Sequence, residues 1–383
     1  MEELISLGRE LENAAEPGFL EHRTHQILAA RFRGRGFVIQ EFHGMPGFSA
    51  TADGLADGKT VAILADMDGL PPTAGSAAYA HLCGHHQQMV ALFAAACVLQ
   101  ERAAHLLQRV AFVAVPAEEY VDLDRREALR RTGAVHWLSG KQELIERGFF
   151  KGIRAVLASH SASLGNPLSV NSVVAMNGFE ALQFAFRGQS AHAGAAPHLG
   201  RNAQNAACLF VQACAFLREG FEEGKHIRIH PVLRMKPEQA VNLIPDTAMV
   251  ETYARAADAP AVQEIVQRLT AAAAGCANAL GVEFETRMLR GYAPFRVDPA
   301  LHHALRRTAQ RMGIEFIEDG FSAASSDMGD LSVLLPSIIV GLPGTNGRLH
   351  QPEFRVIDET AAYVFPGEVL AELAIDVLAE AER

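Results

Sequence analysis

The sequence predicts an α/β protein: a three-layer domain built on a mostly parallel sheet, with a smaller α+β domain inserted into it. Three observations predict this. Short continuous apolar runs alternate with helical patterns in the first third and recur near the C-terminus; such runs read as strands buried on both faces of a parallel sheet. The middle of the chain instead interleaves alternating, half-exposed strand patterns with two long helical patterns, which reads as an α+β sandwich of the ferredoxin-like kind. Finally, 383 residues, 49% hydrophobic and 20% charged, are enough for two cores without disulfides.

Taken in order, residues 2–15 (EELISLGRELENAA) and 22–36 (HRTHQILAARFRGRG) place apolar residues at helical spacing. VAILADMDGL (61–70) is an apolar run ending in acids. GHHQQMVALFAAACVLQERA (84–103) is a strong helix pattern, rich in good helix formers. RVAFVAVPAEE (109–119) is a second run ending in acids, GIRAVLASH (152–160) a third ending in histidine, and PSIIVGLPG (336–344) a fourth. Between them, DLDRREALRRTG (122–133) is charge-rich and reads as a solvated helix or loop. In the insertion, GFEALQFAFRG, AVNLIPDTAMVETYARA and VEFETRML read as strands, and residues 201–221 and 260–281 as helices. The expected division is 1–173 with 291–383 for the larger domain and 174–290 for the insertion.

Lys and Arg number 34 and Asp and Glu 44, a net charge of −10. No basic excess exists to neutralise a polyanion, so nucleic-acid binding is not expected. No apolar run approaches the ~20 residues of a membrane span. The acidic, amphipathic first 18 residues lack the basic and apolar regions of a signal peptide. Five cysteines, at 83, 97, 208, 214 and 276, are odd in number and loosely spaced. That pattern fits a reducing cytoplasm, with the last four expected in helical cores.

Ligands of open α/β sheets bind at the carboxyl ends of strands. Asp66 and Asp68, Glu118 and Glu119, and His160 all follow such ends, so carboxylates and imidazoles gather on one rim. Cys83-Gly84-His85 opens a helix, where thiolate and imidazole two residues apart can reach one transition-metal ion. Adjacent Glu118 and Glu119 cannot point the same way: one can bind metal while the other faces substrate as a general base. His350, in LHQPEF beyond the fourth run, completes the set. Cys83, His85, Glu119, His160 and His350 make five ligands, enough for one closed site or two ions sharing a bridge.

The combination resembles the M20 family of metal-dependent peptidases and amidohydrolases, in its Cys-Gly-His branch. The resemblance rests on ADMDGLP (65–71), CGH (83–85), PAEE (116–119), GQSAHAGAAPH (188–198), NLIP (242–245) and LHQPEF (349–354), in family order over nearly the whole chain. SSDMGDLSVLLP (325–336) is similar to the p-aminobenzoyl-glutamate hydrolase subgroup. The resemblance implies that Cys83, His85, Glu119, His160 and His350 hold one or two divalent ions, Zn or Mn foremost, with Ni or Co as alternatives. It implies Glu118 as general base and Asp68 as the acid that orients a ligand or the base. His192, from the insertion, would help polarise the scissile carbonyl, and Asn242 and Arg255 would grip a substrate carboxylate. It also implies a homodimer through the inserted domain, which would act as lid and dimer surface.

Three departures mark this chain. His86 follows the CGH, where relatives carry Asp or Asn, and is either an extra ligand or a donor behind one. The loop from LPP (70–72) to Cys83 is short. The segment 120–159, with Tyr120, Trp137 and GKQELIERGFF, is long and is expected to wall the pocket. The expected activity is amide hydrolysis of an N-acyl or N-aroyl amino acid or an unusual dipeptide. Three alternatives are hydrolytic deamination of an aromatic amine on the same site, a nucleophilic Cys83, and a catalytically dead binding protein.

Overall fold

The computed structural model describes residues 1–53, 60–73, 75–236 and 240–380. The chain divides into two compact units: Met1–Val174 with Arg296–Phe321 and Asp330–Arg383, and Ala175–Phe295 with Ser322–Gly329. Among the described residues, no helix is long and apolar enough to cross a membrane.

The first unit is a sheet with helices on its faces. Helices α1 (Glu2–Glu12) and α2 (His22–Gly34) lead into strands β1 (Val38–Glu41) and β2 (Phe48–Thr51). Then come β3 (Thr60–Asp66), α3 (His85–Arg102), β4 (Val110–Val115), α4 (Leu123–Arg131), α5 (Gly140–Glu146), β5 (Ile153–Ser161) and β6 (Ser169–Ser172). The sheet order is β1, β2, β4, β3, β5, then Ser337–Leu342, β6 and Glu315–Ile317. β4, β3, β5 and Ser337–Leu342 run parallel side by side, with Asp66 opposite Val115 and His160 opposite Gly341. Every residue of β3, β4 and Ser337–Leu342 is buried. These strands therefore read as apolar runs rather than alternations, because helices cover both faces.

Helix α3 lies inside this unit and is buried nearly all round, so its sequence is apolar on every face rather than striped. It packs against the helix Phe365–Glu380. A side chain at Gly367 would run into Ala94 of α3, so glycine is what lets the two backbones close. Beneath the sheet edge, Phe32 sits 5.3–5.8 Å, centroid to centroid, from Phe37, Phe48, Phe93 and Phe112.

The second unit is an antiparallel sheet in the order Val232–Arg234, Thr247–Ala256, Gly178–Arg187, Glu283–Leu289. Thr247–Ala256 alternates strictly between buried and half-exposed positions, as a strand covered on one face must. The cover is two helices, Ala203–Leu217 and Ala259–Ala279. Asn202 and Asp258 start them, accepting the main-chain N–H of Asn205 and Ala261 at 3.0 and 2.9 Å. Phe184, Phe186 and Phe210 form the centre of that core.

Two expectations change at this level. Cys97, Cys214 and Cys276 are buried, but Cys208 is half-exposed. The charge-rich 122–133 stretch is helical as α4, yet Arg126 and Glu127 within it are buried. Arg126 is drawn inward because main-chain carbonyls there need its donors. Phe32→Ala should destabilise the first unit by ~3–5 kcal/mol, from lost transfer energy plus the cavity left among four rings. Chemical denaturation followed by far-UV circular dichroism measures it.

Candidate metal centre

The parallel strands deliver the chemistry to one rim. β3 ends at Asp66, and two residues on, Asp68 is fully buried. β4 ends at Val115 and passes directly into Pro116–Glu119, and β5 carries His160 at its end. Gly84 precedes α3 with φ 77°, and a Cβ there would collide with Ser161 Oγ. Only glycine meets both demands, which explains the middle residue of Cys83-Gly84-His85. The distant His350 arrives by main-chain pairing: its N–H donates to Leu82 O at 2.9 Å.

Three overlapping sets of donor atoms lie within 4.8 Å of one another: Cys83, His85 and His160; Cys83, Glu119 and His350; His85, Glu118 and Glu119. Cys83 Sγ is 3.3 Å from His160 Nε2 and 3.2 Å from His350 Nε2. Glu119 Oε1 is 3.3 Å from His350 Nε2 and 4.0 Å from His85 Nε2. His85 Nδ1 contacts Asp68 O at 2.8 Å, and His160 Nδ1 contacts Ser161 O at 3.0 Å. A carbonyl only accepts, so both rings carry hydrogen on Nδ1 and turn Nε2 to the cluster. His85 Nε2 and Glu119 Oε1 are buried without a hydrogen-bond partner among the described residues. Buried donors and acceptors left this way point to a ligand. One thiolate, imidazole Nε2 atoms and carboxylates suit a divalent first-row transition metal. A histidine ligand whose other nitrogen is tied to a fixed acceptor is the usual supporting arrangement.

The glutamate pair is separated by a bent backbone. Ala117 has φ 59°, a left-handed conformation that costs a non-glycine residue about 1–3 kcal/mol unless its surroundings hold it. The Asp68 carboxylate accepts the N–H of Glu118 at 3.1 Å and of Glu119 at 2.9 Å. Glu21 Oε1 accepts the Ala117 N–H at 2.8 Å. Glu119 is thereby buried among the donor atoms, while Glu118 stays half-buried.

Electrostatics follow from burial and partners. Burial alone would raise Asp68, but the His85 hydrogen bond and charge hold it below the usual carboxylate range. Burial would lower His85, yet its contacts with Asp68 first and Cys83 next raise it well above its ordinary value. Glu119, which burial would raise, is held down by His350. His160 is lowered by burial. The Cys83 thiol is pushed well up, by burial and then by Glu119. That shift opposes a nucleophilic cysteine, which needs a lowered pKa.

The remaining expected residues lie in the second unit. His192 is exposed, and its Nδ1 accepts the N–H of Gly194 at 3.2 Å and Ala195 at 3.0 Å. The neutral ring therefore carries its hydrogen on Nε2, free to donate. His192 bridges to Leu243, and Ala193 N–H donates to Asn242 O at 2.8 Å, so this unit brings His192 and Asn242 together. Arg255, on the strand Thr247–Ala256, stacks on Phe179 and Tyr253 at 4.9 and 5.0 Å and donates to Ser325 Oγ at 2.8 Å. Burial lowers its pKa somewhat.

His86 is not in any of the donor sets. It is buried against the His81 and Tyr363 rings, at 5.4 and 5.9 Å. Burial holds His86 well below its ordinary pKa and takes His81 down to about 3. Sequence reasoning missed Glu21, Arg126 and Lys141. Lys141 is fully buried in an ion pair with Asp66. The signal for Lys141 was its place in GKQELIERGFF; Glu21 and Arg126 carry none, being charged residues in charged stretches.

Residues 62–374 match the model of peptidase family M20/M25/M40. The chain is 24% identical to the N-acetylcysteine deacetylase of Bacillus subtilis (strain 168), over 98% of this chain and 97% of that protein. It is 26% identical to a polypeptide of the p-aminobenzoyl-glutamate hydrolase of Escherichia coli (strain K12), over 78% of this chain and 60% of that one. A crystal structure from Bacillus subtilis, described as a dinuclear metal binding peptidase from the M20 family, shares the fold at TM-score 0.75 and 21% identity. It covers 99% of this chain and 98% of its own.

Glu21 generates a pH prediction. Burial, then the Asp68 charge, pushes its carboxyl up from 4.5 to about 8. Between those values the folded protein keeps the proton and the unfolded chain does not, so unfolding releases a proton and stability falls as pH rises. Glu21→Gln should flatten that fall and gain on the parent toward pH 8. Urea midpoints from pH 5 to 9, with both proteins stripped by a chelator, measure it.

Proposed function

The chain belongs to peptidase family M20/M25/M40 and is a metal-dependent hydrolase, and we propose that it cleaves the amide bond of an N-acyl or N-aroyl amino acid or an unusual dipeptide. The observation that carries this reading is the bent Ala117–Glu119 backbone, which gives adjacent carboxylates two different environments beside one cluster of S, N and O donors. In this reading Cys83, His85, Glu119, His160 and His350 hold one or two divalent ions. When bound, the metal supplies Lewis acidity that acidifies water and polarises a carbonyl.

The protein's own groups do the rest. Glu118 takes the proton of the attacking water and returns it to the leaving nitrogen, so one carboxylate serves as base and then as acid. Asp68 fixes the glutamate backbone and the His85 ring. His192 offers its Nε2–H to the carbonyl oxygen as negative charge develops there. Arg255, set against the Phe179 and Tyr253 rings and anchored on Ser325, is the group for a substrate carboxylate, with Asn242 beside it in role. The names of the deacetylase and aminobenzoyl-glutamate relatives support this substrate class, and the dinuclear description of the Bacillus subtilis structure supports a pair of ions. The reading includes a homodimer through the second unit.

Glu118→Gln should lower kcat by roughly 10²–10⁴-fold while metal content per chain stays at the parent's level. Elemental analysis and hydrolysis of N-acetyl amino acids, hippurate, p-aminobenzoyl-glutamate and β-alanyl dipeptides measure the two quantities. Chelation should stop turnover and added metal restore it. Full activity in Glu118→Gln would remove the base assignment.

A further inference from the structure

Helix α4 follows the glutamate pair in sequence, and one of its arginines turns inward. Arg126 is fully buried, with its Cζ 5.7 Å from the centre of the Phe19 ring. Its Nη1 donates to Ala117 O at 3.1 Å and Leu138 O at 2.7 Å. Its Nη2 donates to Glu119 O and lies 3.6 Å from Asp68 Oδ2. Gly18 makes the room: a Cβ there would collide with Nη2 and come within 2.8 Å of the Ala117 Cα.

We propose that Arg126 is a positioning residue for hydrolysis: its guanidinium clamps the carbonyls of Ala117 and Glu119, on either side of Glu118, and so sets the direction of the base and of the Glu119 ligand. The proposal rests on the reading of Glu118 as base.

The peptide planes decide the matter. The plane joining Ala117 to Glu118 is held at its oxygen by Arg126 and at its N–H by Asp68. The plane before it is held at the Ala117 N–H by Glu21. With both planes fixed, Ala117 has no freedom to leave its left-handed conformation, and Glu118 has no freedom to swing. Arg126 spans the oxygen side, reaching forward to Glu119 O, which also accepts the Val121 N–H at 2.8 Å. A planar fork of five donors can serve three carbonyls and face a carboxylate at once; an ammonium on a flexible stem cannot reproduce that geometry. The helix that carries it lies in the long segment after Glu119, whose part in the site is thus support from behind the base.

The test is Arg126→Lys, which keeps a buried cation and loses the fork. The folded variant, checked by far-UV circular dichroism, should lose roughly 10–100-fold in kcat on the best-cleaved N-acyl amino acid, with KM within about threefold of the parent. Affinity for Zn²⁺, read by chelator competition without substrate, should fall about 10-fold, because Glu119 is a ligand. The visible spectrum of the Co²⁺-loaded variant should differ from the parent's. Glu118→Gln run alongside keeps the two readings apart. If that variant stays fully active, the base assignment fails whatever Arg126 does. If it is dead while Arg126→Lys keeps kcat, Zn²⁺ affinity and Co²⁺ spectrum, or changes only KM, the positioning role is overturned. Should Arg126→Lys fail to fold, Gly18→Ala decides, since its methyl presses on Nη2 and the Ala117 backbone. Lower kcat at unchanged KM supports the clamp, and unchanged kcat overturns it.

Discussion

The Asp68 carboxylate is the contact on which the site depends. It is fully buried, and it accepts the N–H groups of both residues in the glutamate pair. It also meets the His85 ring, 3.2 Å from Nδ1. One side chain thus fixes the backbone of the proposed base and, with its own main-chain carbonyl, faces the ring of a proposed ligand. A buried carboxylate is costly unless its oxygens are satisfied, and here two N–H groups, an imidazole and a guanidinium surround it. Remove it and the bent backbone at Ala117 loses the acceptor for its next two N–H groups.

Around this carboxylate the first unit gathers further buried ionisable groups: Glu21, Arg126, and the Lys141–Asp66 pair. Buried ion pairs add little net stability, since desolvation offsets much of the attraction. What they supply here is direction. Each holds a named main-chain atom or acid at the rim where parallel strands end. Exposed His350 is the exception in burial but not in anchoring, because its own N–H is paired to Leu82 O.

The second unit follows a different logic. Its core is apolar, its sheet has one covered face, and its polar residues of interest are held through main-chain pairing or aromatic stacking. His192 owes its tautomer to two backbone N–H groups. Arg255 owes its orientation to Phe179, Tyr253 and Ser325. Ser325 lies in Ser322–Gly329, which clusters with this unit although more than twenty residues of the first unit separate it from Phe295.

The sequence by itself determined the layered α/β architecture, because a strand buried on both faces must be written as an unbroken apolar run. It also pointed to the proposed donor set, because acids and histidines directly after such runs collect at one rim. Glu118, Glu119 and His160 were legible for that reason, Cys83 and His85 as a thiol and an imidazole at a helix opening, and His350 from its place in LHQPEF beyond the fourth run. Only the tertiary structure decided which charges turn inward. Arg126 looks like its exposed neighbours Arg130 and Arg131, and Glu21 like any surface acid, because their partners are main-chain atoms, which no residue pattern announces. His86 shows the converse: beside a ligand in sequence, it is turned by its helix toward His81 and Tyr363. Residue type records what a side chain can do, but burial and the backbone groups left needing a partner decide where it does it.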